Sequence, residues 1–478
     1  MEDLSLAPSR PRPSTTPGRV PSPTARAELR EALGALVSFP GDPDHDRRRT
    51  AWNLAADQHP FAVVRPTSAD DVVTAVRAAT AVGLRIAPQS TGHGAGALID
   101  ADLSDTVLFT MDLLRGAHVD PETRTAHVLG GSLWTDVLQQ TTQYGLTAPH
   151  GSSDLVSVAG YSLQGGLSFY ARRHGLAVNH VLGVDLVTAR GELVHASLDE
   201  NPDLFWAVRG GAGTFGVVTA LDIDLLDYTD VHAGMLVWDG SRASEVAQAW
   251  ARWTREVPES VTTSMRIFQL PPVPDVPPLF AGRTALVIDG AILEDEAGAD
   301  SLLAPLRALS PAEDTFAPIP AIDLPPVHMD PPDPVPALNA HTILGSLPPE
   351  AVDAFVEGAL AARTTISELR HIGGAARRPS ETPGAVSAID GDYLMGVIAM
   401  LPDPSMAPAV APVVDAQVGA MSPWSTGAAA LTFYDGGADR ASGFGASIRR
   451  LREVRSRIDP DGALVGSHPL DGPLNSAP

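Results

Sequence analysis

The sequence contains no cysteine. Disulfides, thiolate nucleophiles, iron–sulfur clusters and thiolate zinc sites are excluded together, and no metal site is expected. Lysine is absent as well, so all 33 basic residues are arginine. That removes a Schiff-base lysine, a pyridoxal-phosphate anchor and a P-loop lysine. Aromatic residues make up only 5% of the chain. No apolar run is long enough to span a bilayer, and no membrane partner is expected. Positive charge is scarce relative to negative: 57 acidic residues against 33 basic ones give a formal net charge of -24. Such a surface repels phosphate backbones, so nucleic acid is not an expected partner. It does not exclude a phosphate-bearing small molecule, which backbone N–H groups bind locally. The segment Met1 to about Ala25 is rich in Pro, Ser, Thr and Arg and lacks the apolar centre of a signal peptide. It reads as a disordered leader over residues 1–26, and the expected location is cytoplasmic.

What is present is a large apolar fraction, 44% of 478 residues, enough for two domains. Leu29, Leu33 and Leu36 have helical spacing. Phe61 to Pro66 reads as a strand, Ser68 caps a helix with an apolar face at Val72, Val73, Val76 and Ala79, and Leu84 to Ala87 reads as a second strand. A Gly-rich loop follows at once. Strands are expected at 107–110, 125–129, 184–188, 193–196 and 216–225, and helices at 134–144 and 202–209. After residue 228 the texture changes, with Pro-rich stretches at 270–278 and 317–337. Candidate strands of a second sheet are 364–371, 394–400 and 428–433, and an Arg-rich helix is expected at 443–458. Trp238, Trp250 and Trp253 either line a pocket or pack a helix; the second is favoured.

Three segments carry candidate chemistry. Gly211-Ala-Gly-Thr-Phe-Gly216 matches G-x-G-x-x-G, but a helix precedes it and a strand follows, the reverse of a dinucleotide fold, so that reading is rejected in favour of a turn and helix cap or a close approach to a ligand. Ser90-Thr-Gly-His-Gly-Ala-Gly96 leaves a strand as a run of small residues, a natural pyrophosphate nest with His93 at its centre. Pro149 to Gly166 is dense in small residues, suited to packing against a flat ring or to an ordinary buried loop.

Taken in order, the loop at 90–96, the run at 151–166, Arg172 to Ala177, Val184 to Gly191, Asn201 to Gly211 and Phe215 to Val218 resemble the FAD-binding domain of the vanillyl-alcohol oxidase / p-cresol methylhydroxylase superfamily. The nearest branch is the berberine-bridge-enzyme-like oxidases. The resemblance spans about residues 55–228, with a weaker match at the end of the chain. It implies an α+β fold: a two-subdomain FAD-binding (PCMH-type) domain at 27–228, an α/β substrate domain at 229–425 with an antiparallel sheet over the flavin, and a C-terminal segment, 426–478, returning to the first domain.

The same resemblance implies FAD bonded covalently through His93. Ser90, Thr91, Gly92 and Gly94 would contact the pyrophosphate. Gly151, Ser152, Gly160, Gly165, Gly166 and Gly216 would line the cofactor, and Val218 would meet its adenine end. Ser153 fills the position of a second, cysteinyl link in relatives, so no such link is possible here. Val156 fills the place of an oxygen gate, which favours molecular oxygen as acceptor. Near the C-terminus, Thr432 and Ser467 stand where relatives carry asparagine. The expected reaction is hydride transfer from an alcohol, sugar or natural-product substrate to flavin N5, with a base taking the substrate's proton. Glu368, His371, Tyr393 and Tyr434 are the candidates. Glu368 and Arg370 share one face of the expected strand, and Ser367, Leu369 and His371 the other. A flavin-binding scaffold with little turnover, or a redox-neutral cyclase-like protein, is the alternative.

Overall fold

The computed structural model describes residues 21–99, 101–272, 278–433 and 441–470. Most of the expected leader, and Tyr434, lie outside the described residues. The first helix, Ala25–Leu33, buries Leu29 and Leu33 as the sequence spacing implies, and Ala25 with them; Leu36 falls in the 3-10 turn that follows. A four-stranded sheet orders Val37–Ser38, Ala62–Val64, Thr106–Thr110 and Arg85–Gln89. The helix Ala69–Ala81 packs on it, with the Ser68 side chain accepting from the Asp71 N–H. That cap satisfies one of the N–H groups a helix start leaves open. A second, five-stranded antiparallel sheet orders Ala117–Asp120, Thr125–Leu129, Val217–Asp224, Val181–Val187 and Leu193–Ser197. The helix Pro202–Gly211 does precede the strand Val217–Asp224, so the inverted context of the Gly211–Gly216 motif is real.

The third sheet is antiparallel throughout. Its order is Glu313–Asp314, Asp230–Asp239, Thr284–Ile292, Val261–Gln269, Ile366–His371, Tyr393–Met400, Ala337–Leu344, with Ala317–Pro320 also on Asp230–Asp239. One face packs against Ala243–Trp253, Glu296–Arg307, Pro349–Ala362 and Ala407–Gly419. Trp238, Trp250 and Trp253 are all in this core, with indole N–H groups donating to Leu309 O, Thr263 Oγ1 and Leu302 O. The other face turns toward the first two sheets: Ile343 and Leu394 share a core with Trp134, Val184 and Phe205.

The third expected strand, 428–433, is not one. Its end is a 3-10 turn, Leu431–Phe433. The reason is a side chain: His341 Nε2 accepts from the Ala430 N–H at 3.0 Å, and its Nδ1 lies 3.1 Å from Phe433 O. The imidazole takes the backbone groups that a neighbouring strand would need. The chain then returns to the first sheet. Asp459 accepts from Ala463 N and Leu464 N, and residues 463–465 exchange backbone hydrogen bonds with Ile86.

Candidate functional site

The loop after Arg85–Gln89 is shaped by a close backbone contact. Trp52 N–H donates to Thr91 O at 3.0 Å and Asn53 N–H to Gly92 O at 3.3 Å. Gly92 sits at φ +80°, and a Cβ there would stand 2.7 Å from the Ala51 Cβ. Only glycine fits both demands. With its carbonyls occupied, the loop presents N–H groups: those of residues 90–94 donate to no acceptor among the described residues. Those of residues 151–155 are likewise free of acceptors there. Paired runs of free amides form anion cradles. A Cβ at Gly94 would meet nothing within 4 Å, and one at Gly160 only Ser157 Oγ at 4.0 Å. Neither has the crowding that explains Gly131 or Gly466, so their missing side chains leave room for something else.

His93 stands in this space. Its ring stacks on Trp52 with centroids 4.2 Å apart and planes at 15°. Nδ1 lies 2.8 Å from Thr91 Oγ1, while Nε2 is buried and has no partner among the described residues. Burial lowers its pKa to about 4, against a smaller opposite pull from Asp330. The imidazole is therefore neutral at ordinary pH.

Of the remaining residues expected to line a cofactor, Ser90 donates to Gly130 O at 3.2 Å, and Gly130 is held against the Val218 carbonyl. Ser90 and Val218 are thus joined through one residue. Gly216 lies tight against Leu186, and Gly151 and Gly166 both abut the Tyr161 ring. Gly165 is buried with Val386 3.8 Å from its Cβ position. Ser153 and Val156 are half-buried in the 151–157 loop, whose carbonyls at Asp154 and Val156 accept from Thr135 and Trp134. Ser467 accepts from Gln164 Nε2 at 2.7 Å, so this short side chain is engaged with the Gly-rich run.

Residues 328–337 reach the same space from the side of the third sheet. Ser152 Oγ donates to Asp330 at 2.6 Å. The Asn53 amide bonds both Ala337 O and Ala337 N–H, at 3.0 and 3.1 Å. Asp330, bonded to Ser152, also acts electrostatically on His93 and on Arg370.

The sheet face presented there is charged. The register pairs Glu368 with Gly396 and Arg266, and Arg370 with Leu394 and Ser264. Arg370 donates to Glu368 Oε1 at 2.9 Å and to His328 Nε2 at 2.9 Å. His328 Nδ1 donates to Asp289 at 3.0 Å, and Arg266 donates to Asp289 and to His328 O. Asp289, Glu368, Arg266 and His328 are all buried, and each has its partner, the condition on which buried charge is tolerated. Burial alone raises the Glu368 carboxyl; the charges of Arg370, His328 and Arg266 together outweigh it and hold it at about 2. Gly396, opposite Glu368, keeps the sheet surface open beside the carboxylate.

The candidate bases are therefore separated. Glu368 faces the cofactor loops. Tyr393 and His371 are on the reverse face: the Tyr393 hydroxyl lies 2.8 Å from Thr254 Oγ1 in the helix-packed core, and His371 stacks on Tyr393 and contacts Arg172. Strand alternation alone forces this once Leu369 is buried under the helices. Several residues were not found from the sequence. Trp52 and Asn53 sit in an unpatterned loop. Tyr161, whose buried hydroxyl has no partner among the described residues, was hidden among small residues. Asp289 and Arg266 did carry a signal, as single charges inside apolar strands.

Comparison with known proteins agrees with this geometry. Residues 60–197 match the family model of the FAD binding domain. The chain is 34% identical over 212 residues to (R)-6-hydroxynicotine oxidase of Paenarthrobacter nicotinovorans, covering 44% of this chain and 46% of that protein. It is 33% identical over 199 residues to xylooligosaccharide oxidase of Thermothelomyces thermophilus, covering 40% of each. These matches span less than half the length of the curated relatives. Among solved structures, the wild-type berberine-bridge-enzyme-like protein 1 of Physcomitrella patens superposes with a TM-score of 0.81 at 22% identity, covering 94% of this chain and 100% of that one. A berberine bridge enzyme variant superposes with a TM-score of 0.80 at 18% identity, covering 93% and 98%. The free amides, the open glycine positions and the unpartnered Nε2 of His93 suit a long phosphate-bearing cofactor with a planar ring. The chain carries a FAD binding domain at residues 60–197, its sequence relatives are FAD-linked oxidases, and its fold is that of the berberine-bridge-enzyme-like proteins.

Proposed function

We propose that this protein is a FAD-dependent oxidase of a small organic substrate, an alcohol, a sugar or a natural-product scaffold, with molecular oxygen as final acceptor. The observation that carries the reading is the contact between Ser152 and Asp330, 2.6 Å, beside the paired hydrogen bonds of Asn53 and Ala337. It brings the amide-lined loops of the FAD binding domain and the charged face of the third sheet around one space. Bound there, FAD supplies the hydride acceptor and passes electrons to oxygen.

The amides of residues 90–94 hold the pyrophosphate, and Gly94 and Gly160 leave space for the cofactor. His93 bonds covalently to it, and Val156 admits oxygen beside the ring. Glu368 receives the substrate's proton. Paired with Arg370 it is ionised at ordinary pH, and so an acceptor, but weakly basic. A substrate hydroxyl or amine inserted between the two weakens that pairing and raises the basicity of the carboxylate.

The test is acid precipitation of the purified protein. Yellow colour stays with the polypeptide in the wild type and leaves it in His93→Ala. Colour released from the wild type removes the covalent bond from the reading. A purified protein with no flavin absorbance, even after incubation with FAD, removes the reading itself.

A further inference from the structure

The carboxylates around the charged sheet face are not treated alike. Asp289 is met by Arg266 and His328, and Glu368 by Arg370 and, at 3.7 Å, by His328. Asp330, half-buried and two residues beyond His328, has no arginine or histidine nitrogen within 4.0 Å among the described residues. Its one hydrogen bond there comes from Ser152 Oγ to Oδ2, so Oδ1 is open. A half-buried carboxylate served by one neutral donor is short of a counter-charge. The backbone places it deliberately. Met329 is left-handed, at φ +54°, which bends the chain between His328 on the sheet and Asp330 on the 151–155 loop.

Glu368 also keeps one oxygen free. It is only 4% exposed, yet among the described residues every contact to it is made through Oε1, and Oε2 accepts nothing. A Cβ at Gly396 would stand 3.9 Å from that oxygen, so the glycine leaves it uncovered. The segment 328–330 thus connects two carboxylates, each with an open oxygen. One is paired with arginine and the other lacks a cation.

We infer that Asp330 is a specificity-determining residue that binds a cationic amine of the substrate, while a separate hydroxyl of the same molecule meets Glu368. The substrate class is then an amino alcohol. The inference rests on the FAD-dependent oxidase reading above and narrows it. An ammonium group brings the missing charge and three N–H donors; a sugar hydroxyl brings one donor and no charge. In the reaction the carbinol carbon gives a hydride to the flavin and its hydroxyl gives a proton to Glu368, leaving a carbonyl. The amine keeps its proton and takes no part in the redox step.

The test compares three probes of one shape with the flavin-loaded protein at neutral pH: para-(aminomethyl)benzyl alcohol, para-ethylbenzyl alcohol and para-(hydroxymethyl)benzoate. Binding is read as a shift of the flavin band and reaction as its anaerobic bleaching. The ammonium member is preferred over the neutral one by about tenfold or more, the low end for a charge-assisted hydrogen bond, and the carboxylate ranks last. Asp330→Asn keeps an acceptor for Ser152 and removes the charge; the preference falls to within about twofold. Ser152→Ala removes the contact and keeps the charge, and the preference survives. A flavin-loaded protein with no preference for the ammonium member, by either readout, overturns the inference and leaves the oxidase reading standing. So does a preference that persists in Asp330→Asn, or one lost equally in Ser152→Ala. A protein without flavin absorbance after incubation with FAD removes both readings.

Discussion

Glu368 gives the sharpest test of the buried charge network. Its carboxyl is held at about 2 instead of 4.5: burial opposes ionisation, and Arg370, 2.9 Å away, offsets it together with His328 and Arg266. At ~1.36 kcal/mol per pKa unit, this makes the ionised group worth about 3 kcal/mol of folding stability. The sign follows from which state binds protons first. As pH falls, the unfolded carboxyl protonates near 4.5 and the folded one only near 2. The stabilisation is therefore complete above about pH 4.5 and is lost progressively toward pH 2. Glu368→Gln cannot titrate. It is less stable than wild type at pH 6, because Arg370 loses its anion, but the gap narrows on acidification. Between pH 6 and pH 3 the narrowing should reach about 2 kcal/mol. Urea denaturation of both proteins at the two pH values, with matched flavin content, measures it. A gap constant to within about 0.5 kcal/mol would refute the claim that Glu368 is paired and ionised in the folded state.

Two further outcomes are expected. Tyr393→Phe leaves turnover within about twofold, because the hydroxyl faces Thr254 in the helix-packed core, and lowers stability by about 1 kcal/mol for the lost hydrogen bond; steady-state rates and thermal melts read both, and a loss of activity above tenfold at full flavin content would return Tyr393 to the reacting face. Gly160→Ala keeps or raises apoprotein stability, because the residue is helical and its Cβ meets only Ser157 Oγ at 4.0 Å, yet it weakens FAD binding about tenfold or more by filling cofactor space; unchanged affinity in a titration of apoprotein with FAD shows that the cofactor does not pass that position.

Elements with strong local signals were legible in the sequence. The cap at Ser68 and the strands at 106–110 and 125–129 were found within a residue or two. Local misreadings had tertiary causes. Residues 428–433 have strand-like composition, but His341, from a strand about 90 residues earlier in the chain, takes two of their backbone groups. The helical start at Ala25 extends into the expected leader because Ala25 is buried with the sheet core. In the candidate site, the loop residues 90–94 were legible because small residues after a strand have few structural uses. Trp52, Asn53 and Asp330 were not, because their importance comes from partners up to 284 residues away.

The amino-acid order alone determined which chemistries are absent, where the amide-rich loops lie, and that Glu368 and Arg370 share a face opposite to Leu369 and His371. Those are consequences of composition, of glycine's backbone freedom and of strand alternation, which act over a few residues. Only the tertiary structure decided which face looks toward the FAD binding domain, because that depends on where four helices found apolar surface to cover. It also decided that Asp330 joins the loop to the sheet and that the two nitrogens of His93 differ, because both rest on contacts that exist only once distant segments have packed.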